Sequence, residues 1–188
     1  MLPQGVRLRL DANAGLSLAE LEHWLRVLQT CPEQIDYLEQ PLSVGQEASR
    51  AAAAASFGVP IALDESLSVR NGLRWLEPGA WEGPLVLKPA LLGNCEHLIK
   101  RLRPVVSQVV LSSAFETVIG LGNALCLADQ LPELNPVIGF DTVGAFADTL
   151  NTLKSAPVIN ALERAKFQSS TIWDTLLQQS GPQLNHNN

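Results

Sequence analysis

"IDYLEQP", residues 35–41, is an apolar, strand-like run that ends on a carboxylate, Glu39. The same pattern recurs on both sides of it. Earlier in the chain, "LRLDAN" (8–13) ends its apolar run on Asp11, and later "IALDES" (61–66) ends on Asp64. After a further interval of similar length, "LVLKPA" (85–90) ends on Lys88. One charge at the end of a strand is ordinary; four at near-regular spacing require a common cause.

Working outward, the chain alternates strand, turn and helix. Candidate strands are Val6–Leu10, Ile35–Leu38, Ile61–Leu63, Leu85–Leu87, Val105–Leu111 and Pro136–Phe140. They are short and mostly apolar on both parities, as expected of parallel strands covered by helices. Helical patterns fill the gaps at 17–30, 46–57, 69–76, 94–103, 117–131 and 143–153. In the first, Leu18, Leu21, Trp24, Leu25 and Leu28 form an apolar stripe. Helix propensity and close packing both suit the Ala51–Ala55 run. Strands and helices that alternate at this near-constant interval predict a parallel α/β fold, either an open doubly wound sheet or a closed (β/α)₈ barrel.

Composition narrows the function classes. A chain of 188 residues, 46% hydrophobic and 17% charged with net charge -6, can bury a sizeable core and disfavours nucleic acid or an anionic membrane surface as partner. No run approaches the ~20 apolar residues of a membrane span, and the N-terminal "MLPQGVRLRL" has no signal-peptide apolar region. Cys31, Cys95 and Cys126 show no metal-binding spacing, which predicts reduced thiols in a cytoplasmic setting. His23, His97 and His186 fall in helical segments or the polar tail and read as solvated surface. Gly120 and Gly122 lie inside a helical pattern without the context of a nucleotide-binding loop, and packing of small residues explains them.

The strand ends favour the barrel, where functional side chains sit at the C-terminal ends of successive strands and converge on one axis. Neighbouring parallel strands lie ~4.8 Å apart, so Asp11, Glu39 and Asp64 would face one small volume. Three carboxylates that close repel one another unless a cation sits among them. Hard oxygen ligands on a rigid scaffold suit Mg²⁺, and Lys88 would stand beside the ion.

These motifs, "LRLDAN", "YLEQPL", "IALDESL" and "LVLKP", resemble the strand-end motifs of the enolase superfamily, and within it those of o-succinylbenzoate synthase. The resemblance continues through "VVLSSAFETVIGLG" (109–122) and "PVIGFDT" (136–142). It implies that Asp11, Glu39 and Asp64 are Mg²⁺ ligands, that Lys88 is a catalytic lysine, and that Asn13, Ser112 and Ser113 lie near a small carboxylate substrate. "VVLSSAF" lacks the histidine of mandelate-racemase-like relatives, and "GFDTVGAF" has Asp141 alone where dipeptide epimerases carry an Asp-x-Asp pair. "KPALLG" replaces the Gly-Gly turn frequent in muconate-lactonising relatives. The implied reaction is a Mg²⁺-assisted syn elimination of water from 2-succinyl-6-hydroxy-2,4-cyclohexadiene-1-carboxylate, in menaquinone or phylloquinone biosynthesis.

One feature departs from the family pattern. The family's acid–base residue belongs to a Lys-x-Lys motif on the second barrel strand, and here the first lysine is Lys88. Arg7 and Arg9 precede Asp11, but a guanidinium with pKa above ~12 is a poor base. The expectation is a partial TIM-type barrel over residues 1–180, with about six parallel strands, no capping domain and no first two strands, followed by a loose tail at 181–188. Such a chain would need a complementing N-terminal fragment, or would self-associate through its open edges. The competing readings are a non-catalytic remnant that binds metal or a partner, and an N-acylamino acid racemase or dipeptide epimerase relative.

Overall fold

The computed structural model describes residue 3, residues 5–134 and residues 138–139. Among the described residues five strands alternate with five α-helices: β1 Leu8–Asp11, α1 Leu18–Leu28, β2 Ile35–Glu39, α2 Glu47–Phe57, β3 Ile61–Ala62, α3 Glu65–Ser68, β4 Leu85–Leu87, α4 Cys95–Leu102, β5 Val109–Leu111 and α5 Val118–Asp129. All pairings between these strands are parallel, β1 with β2, β2 with β3, and β4 with β5. A parallel bridge from Leu63 to Leu85 joins the two groups, and another from Ser112 to Gly139 extends the array. Spatial order therefore follows chain order, whereas a doubly wound sheet reverses direction at a switch point. Sequential parallel order is that of a barrel wall.

The two faces of this wall have different partners. Leu38, Ile61, Leu63, Leu85, Leu87, Val109 and Leu111 belong to the main core with Leu21, Leu25 and Leu28 of α1 and Leu98 and Leu102 of α4. Residues of the opposite parity, Tyr37, Ala62, Val86 and Val110, form a separate small cluster. Two residues beyond each member of that cluster stand Glu39, Asp64, Lys88 and Ser112. Side chains alternate along a strand, so these four extend the same inner face toward the C-terminal end.

Local chemistry sets the element ends. Ser17 and Glu20 form a reciprocal capping box at the start of α1, with Ser17 N donating to Glu20 Oε2 at 2.8 Å. Only Leu21, Leu25 and Leu28 of the expected stripe are buried; Leu18 and Trp24 are 47% and 40% exposed. Ala53 is buried and Ala54 packs partly buried against the core, whereas Ala51, Ala52 and Ala55 are exposed, so packing accounts for part of the run and helix propensity for the rest. The helix expected over 69–76 is a 3₁₀ segment, Gly72–Leu76, preceded by the single turn of α3. A Cβ on Gly72 would come within 2.3 Å of the Leu67 carbonyl oxygen, which accounts for glycine at this tight corner. The strand expected over Val105–Leu111 begins only at Val109, because Arg103–Gln108 forms a 3₁₀ turn with Pro104 at its start.

The expected helix at 143–153, Asp141, the tail at 181–188 and most of the strand at 136–140 lie outside the described residues. Among the described residues, no helix is long and apolar enough to cross a membrane.

Candidate functional site

The strand ends bring the sequence-predicted residues to one edge of the wall. Asp11 pairs with Glu39 across β1 and β2, and Glu39 with Ala62, two residues before Asp64. Lys88 Nζ donates to Asp64 Oδ2 across the β3–β4 junction. Lys88 thus stands against Asp64, with its side chain 23% exposed and that of Asp64 2% exposed.

Burial and charge crowding raise Glu39. Loss of solvent pushes its carboxyl up to about 8, with the charges of Asp11 and Asp64 adding to the rise and Lys88 opposing it. Glu65, next to Asp64, is also raised, first by burial and then by Asp64 and Asp11. Its Oε2 is buried without a hydrogen-bond partner. For Lys88, burial favours the neutral amine, but the hydrogen bond and charge of Asp64, then Glu65 and Glu39, outweigh it and raise the pKa. Lys88 is therefore an ammonium at neutral pH, suited to stabilising negative charge rather than to removing a proton.

The donor set of Asp11, Glu39 and Asp64 is chemically suited to a hard divalent cation: all-oxygen carboxylates, with Glu39 raised first by burial and then by the charges of the other two. Yet among the described residues no three His, Cys, Asp or Glu side chains are arranged to hold an ion. The convergence expected of Asp11, Glu39 and Asp64 is incomplete in these side-chain positions. Lys88 lies on Asp64, and Asp11 Oδ1 accepts from Asn13 N at 2.8 Å. A cation entering here would require Lys88 to withdraw and Glu39 to ionise.

Residues 1–81 match the enolase C-terminal domain-like family. The chain is 36% identical over 141 residues to the o-succinylbenzoate synthase of Mycolicibacterium smegmatis, covering 74% of this chain and 43% of that protein. It superimposes with TM-score 0.71 and 30% identity on the o-succinylbenzoate synthase of Thermosynechococcus elongatus BP-1, complexed with Mg in its active site, over 95% of this chain and 51% of that one. The chain is similar to members of the enolase superfamily. A dipeptide epimerase from Cytophaga hutchinsonii, complexed with Mg and a dipeptide, is a more distant superfamily relative at TM-score 0.63 and 25% identity, over 76% of this chain and 39% of that one. The chain spans about half the length of the curated relatives it matches, from 38% to 50%.

In this chain the other predicted residues are placed as follows. Asn13 follows β1 in an exposed turn with φ 45. Ser112 and Ser113 directly follow β5, and both hydroxyls donate to Gly139 O, at 3.2 and 3.3 Å. Arg7 and Arg9 each pair with Asp36, at 2.8 and 2.9 Å. His23 and His97 are exposed, as expected.

Sequence reading missed a buried polar cluster behind the carboxylates: Gln40, Glu47, Arg50 and Ser66, exposed by 0%, 6%, 0% and 0%. The available signal was Gln40 itself, a polar residue directly after the inward Glu39. Arg50 lies at the start of an alanine run, a setting that carries no local signal of burial.

Proposed function

We propose that this chain carries the cation-binding half of an o-succinylbenzoate synthase-type site, for syn elimination of water from 2-succinyl-6-hydroxy-2,4-cyclohexadiene-1-carboxylate. The observation that carries it is the ordered set Asp11, Glu39, Asp64 and Lys88 on successive strand ends, with Lys88 bonded to Asp64. Similarity to o-succinylbenzoate synthases over most of this chain supports the choice of reaction.

In this reading Asp11, Glu39 and Asp64 hold Mg²⁺. The ion supplies fixed positive charge beside the substrate carboxylate, favouring loss of the neighbouring proton. Lys88, released from Asp64, keeps its proton and stabilises the negative charge that develops on the substrate. Asn13, Ser112 and Ser113 offer polar contacts around the substrate. Proton removal is assigned to a lysine outside these 188 residues, since no lysine precedes Lys88 and both early arginines pair with Asp36. A segment bearing that lysine is the proposed partner, completing a barrel of which about six strands come from this chain. The three free thiols support a cytoplasmic location.

A second reading, an epimerase or racemase acting through the same cation, is supported by the likeness to the dipeptide epimerase. The lone Asp141 weighs against it.

The test is product formation from the cyclohexadiene substrate, with Mg²⁺, by the chain alone and with an added segment carrying the lysine strand. No turnover alone, and turnover with the segment that Asp64→Asn abolishes, is the expected outcome. Turnover that survives Asp64→Asn would overturn the assignment, and racemisation without dehydration would favour the second reading.

A further inference from the structure

Directly behind Glu39, the buried carboxamide of Gln40 makes four hydrogen bonds. Its Nε2 donates to Leu42 O at 3.0 Å and Ser66 Oγ at 3.1 Å. Its Oε1 accepts from Asp64 N at 3.0 Å and Ser66 N at 3.3 Å. The main chain of the same residue reaches further: Gln40 N donates to Ala62 O at 3.0 Å, and Gln40 O accepts from Ala14 N at 2.7 Å. One residue therefore ties together the ends of β1, β2 and β3, and it does so at φ 34, in the left-handed region that non-glycine residues seldom enter. Such a conformation persists only where surrounding bonds over-determine it.

Those surroundings are themselves buried and polar. The Ser66 hydroxyl donates to Glu47 Oε1 at 2.7 Å and accepts from Arg50 at 2.8 Å as well as from Gln40. That uses its one proton and both lone pairs. Arg50 also donates to Leu42 O at 2.9 Å and pairs with Glu47 at 2.7 Å. Glu47 Oε1 further accepts from Gly45 N at 3.1 Å. Burying an Arg–Glu pair costs desolvation that the pair's attraction alone seldom offsets. Here the bonds of the cluster end on the peptide N–H of Asp64, one of the three carboxylates.

We propose that Gln40, braced by Ser66, Arg50 and Glu47, is a positioning residue that sets the separation of the Glu39 and Asp64 carboxylates and thereby the affinity for a divalent cation. The inference rests on the cation reading of those carboxylates. Groups that orient metal-binding side chains commonly change metal affinity by about 10- to 100-fold when removed.

The test is Mn²⁺ binding to the 188-residue chain, read from the free-ion paramagnetic resonance signal, alongside metal-free thermal unfolding followed by circular dichroism. Wild type, Asp64→Asn, Gln40→Leu and Ser66→Ala are compared. Saturable binding by wild type that Asp64→Asn abolishes upholds the cation reading. On that background, Gln40→Leu is expected to weaken Mn²⁺ by about 10- to 100-fold and Ser66→Ala by about tenfold, with helical content retained. Unchanged affinity in both folded variants overturns the positioning role and leaves the cation reading intact. Loss of fold in both assigns the cluster to stability and also overturns the positioning role. Failure of wild type to bind overturns the cation reading, and the inference with it.

Discussion

Lys88 and Asp64, on adjacent strand ends, form a direct ammonium–carboxylate contact in which Asp64 is nearly inaccessible to solvent and Lys88 is partly buried. The contact places a positive charge on a carboxylate that the proposed site needs for a cation. In the proposed site Lys88 and a divalent ion would therefore compete for Asp64.

This competition has opposite consequences for binding and for rate. Lys88→Met is expected to raise Mg²⁺ affinity severalfold by removing the rival charge. In the complemented enzyme the same substitution is expected to lower kcat by about 10²–10³-fold, because charge stabilisation on the substrate is lost. Calorimetric titration and steady-state kinetics on the one variant check both signs. Weaker Mg²⁺ binding in Lys88→Met would show that the two cations do not compete.

The buried cluster sets an acid-sensitive component of stability. Burial alone would raise Glu47, but the Ser66 hydroxyl, the Gly45 N–H and the charge of Arg50 outweigh it and lower its pKa below the usual 4.5. A carboxyl depressed in the folded state contributes stability that is complete above its unfolded pKa and lost as pH falls through the folded one. Glu47→Gln is therefore expected to be less stable than wild type at pH 6, with a shallower loss from pH ~4.5 downward. Thermal midpoints across that range check it; parallel curves would contradict it.

Much of the strand pattern was legible because it depends on short-range alternation. Apolar runs ending at 11, 39, 64 and 88 identify both the strands and the face that bears charge, and the structure places these residues at one edge. Corrections fall where tertiary geometry overrides local propensity. Residues 69–76 carry a helical pattern, but the close approach of Gly72 to the Leu67 carbonyl fits a 3₁₀ corner. The Gln40 cluster was not legible because its members are scattered along the sequence and belong together only through hydrogen bonds between elements. Neither was the Lys88–Asp64 bond, which leaves the carboxylates short of a closed metal geometry.

The β3–β4 junction tolerates little. A Cβ on Gly83 would lie 2.1 Å from the Ile61 carbonyl oxygen, with Trp81 Nε1, itself donating to that oxygen at 3.0 Å, close by. Gly83→Ala is expected to destabilise the chain by about 1–3 kcal/mol or more. Denaturant unfolding measures this, and a change within error of zero would show that the junction relaxes freely.

Core and site should separate by strand parity. Leu87, 0% exposed, packs on the helix-covered face, one residue before Lys88 on the opposite one. Leu87→Ala is expected to cost about 2–5 kcal/mol in stability while leaving Mg²⁺ affinity of the folded protein unchanged. A large affinity loss in the folded variant would show that the two faces are coupled.

The most direct measurement is a calorimetric Mg²⁺ titration of the 188-residue chain beside Asp11→Asn, Glu39→Gln and Asp64→Asn. One ion per wild-type chain, with binding abolished or reduced by about 10-fold or more in each variant, is the expected result. Wild-type binding that all three variants retain unchanged would contradict a cation site built from these strand ends.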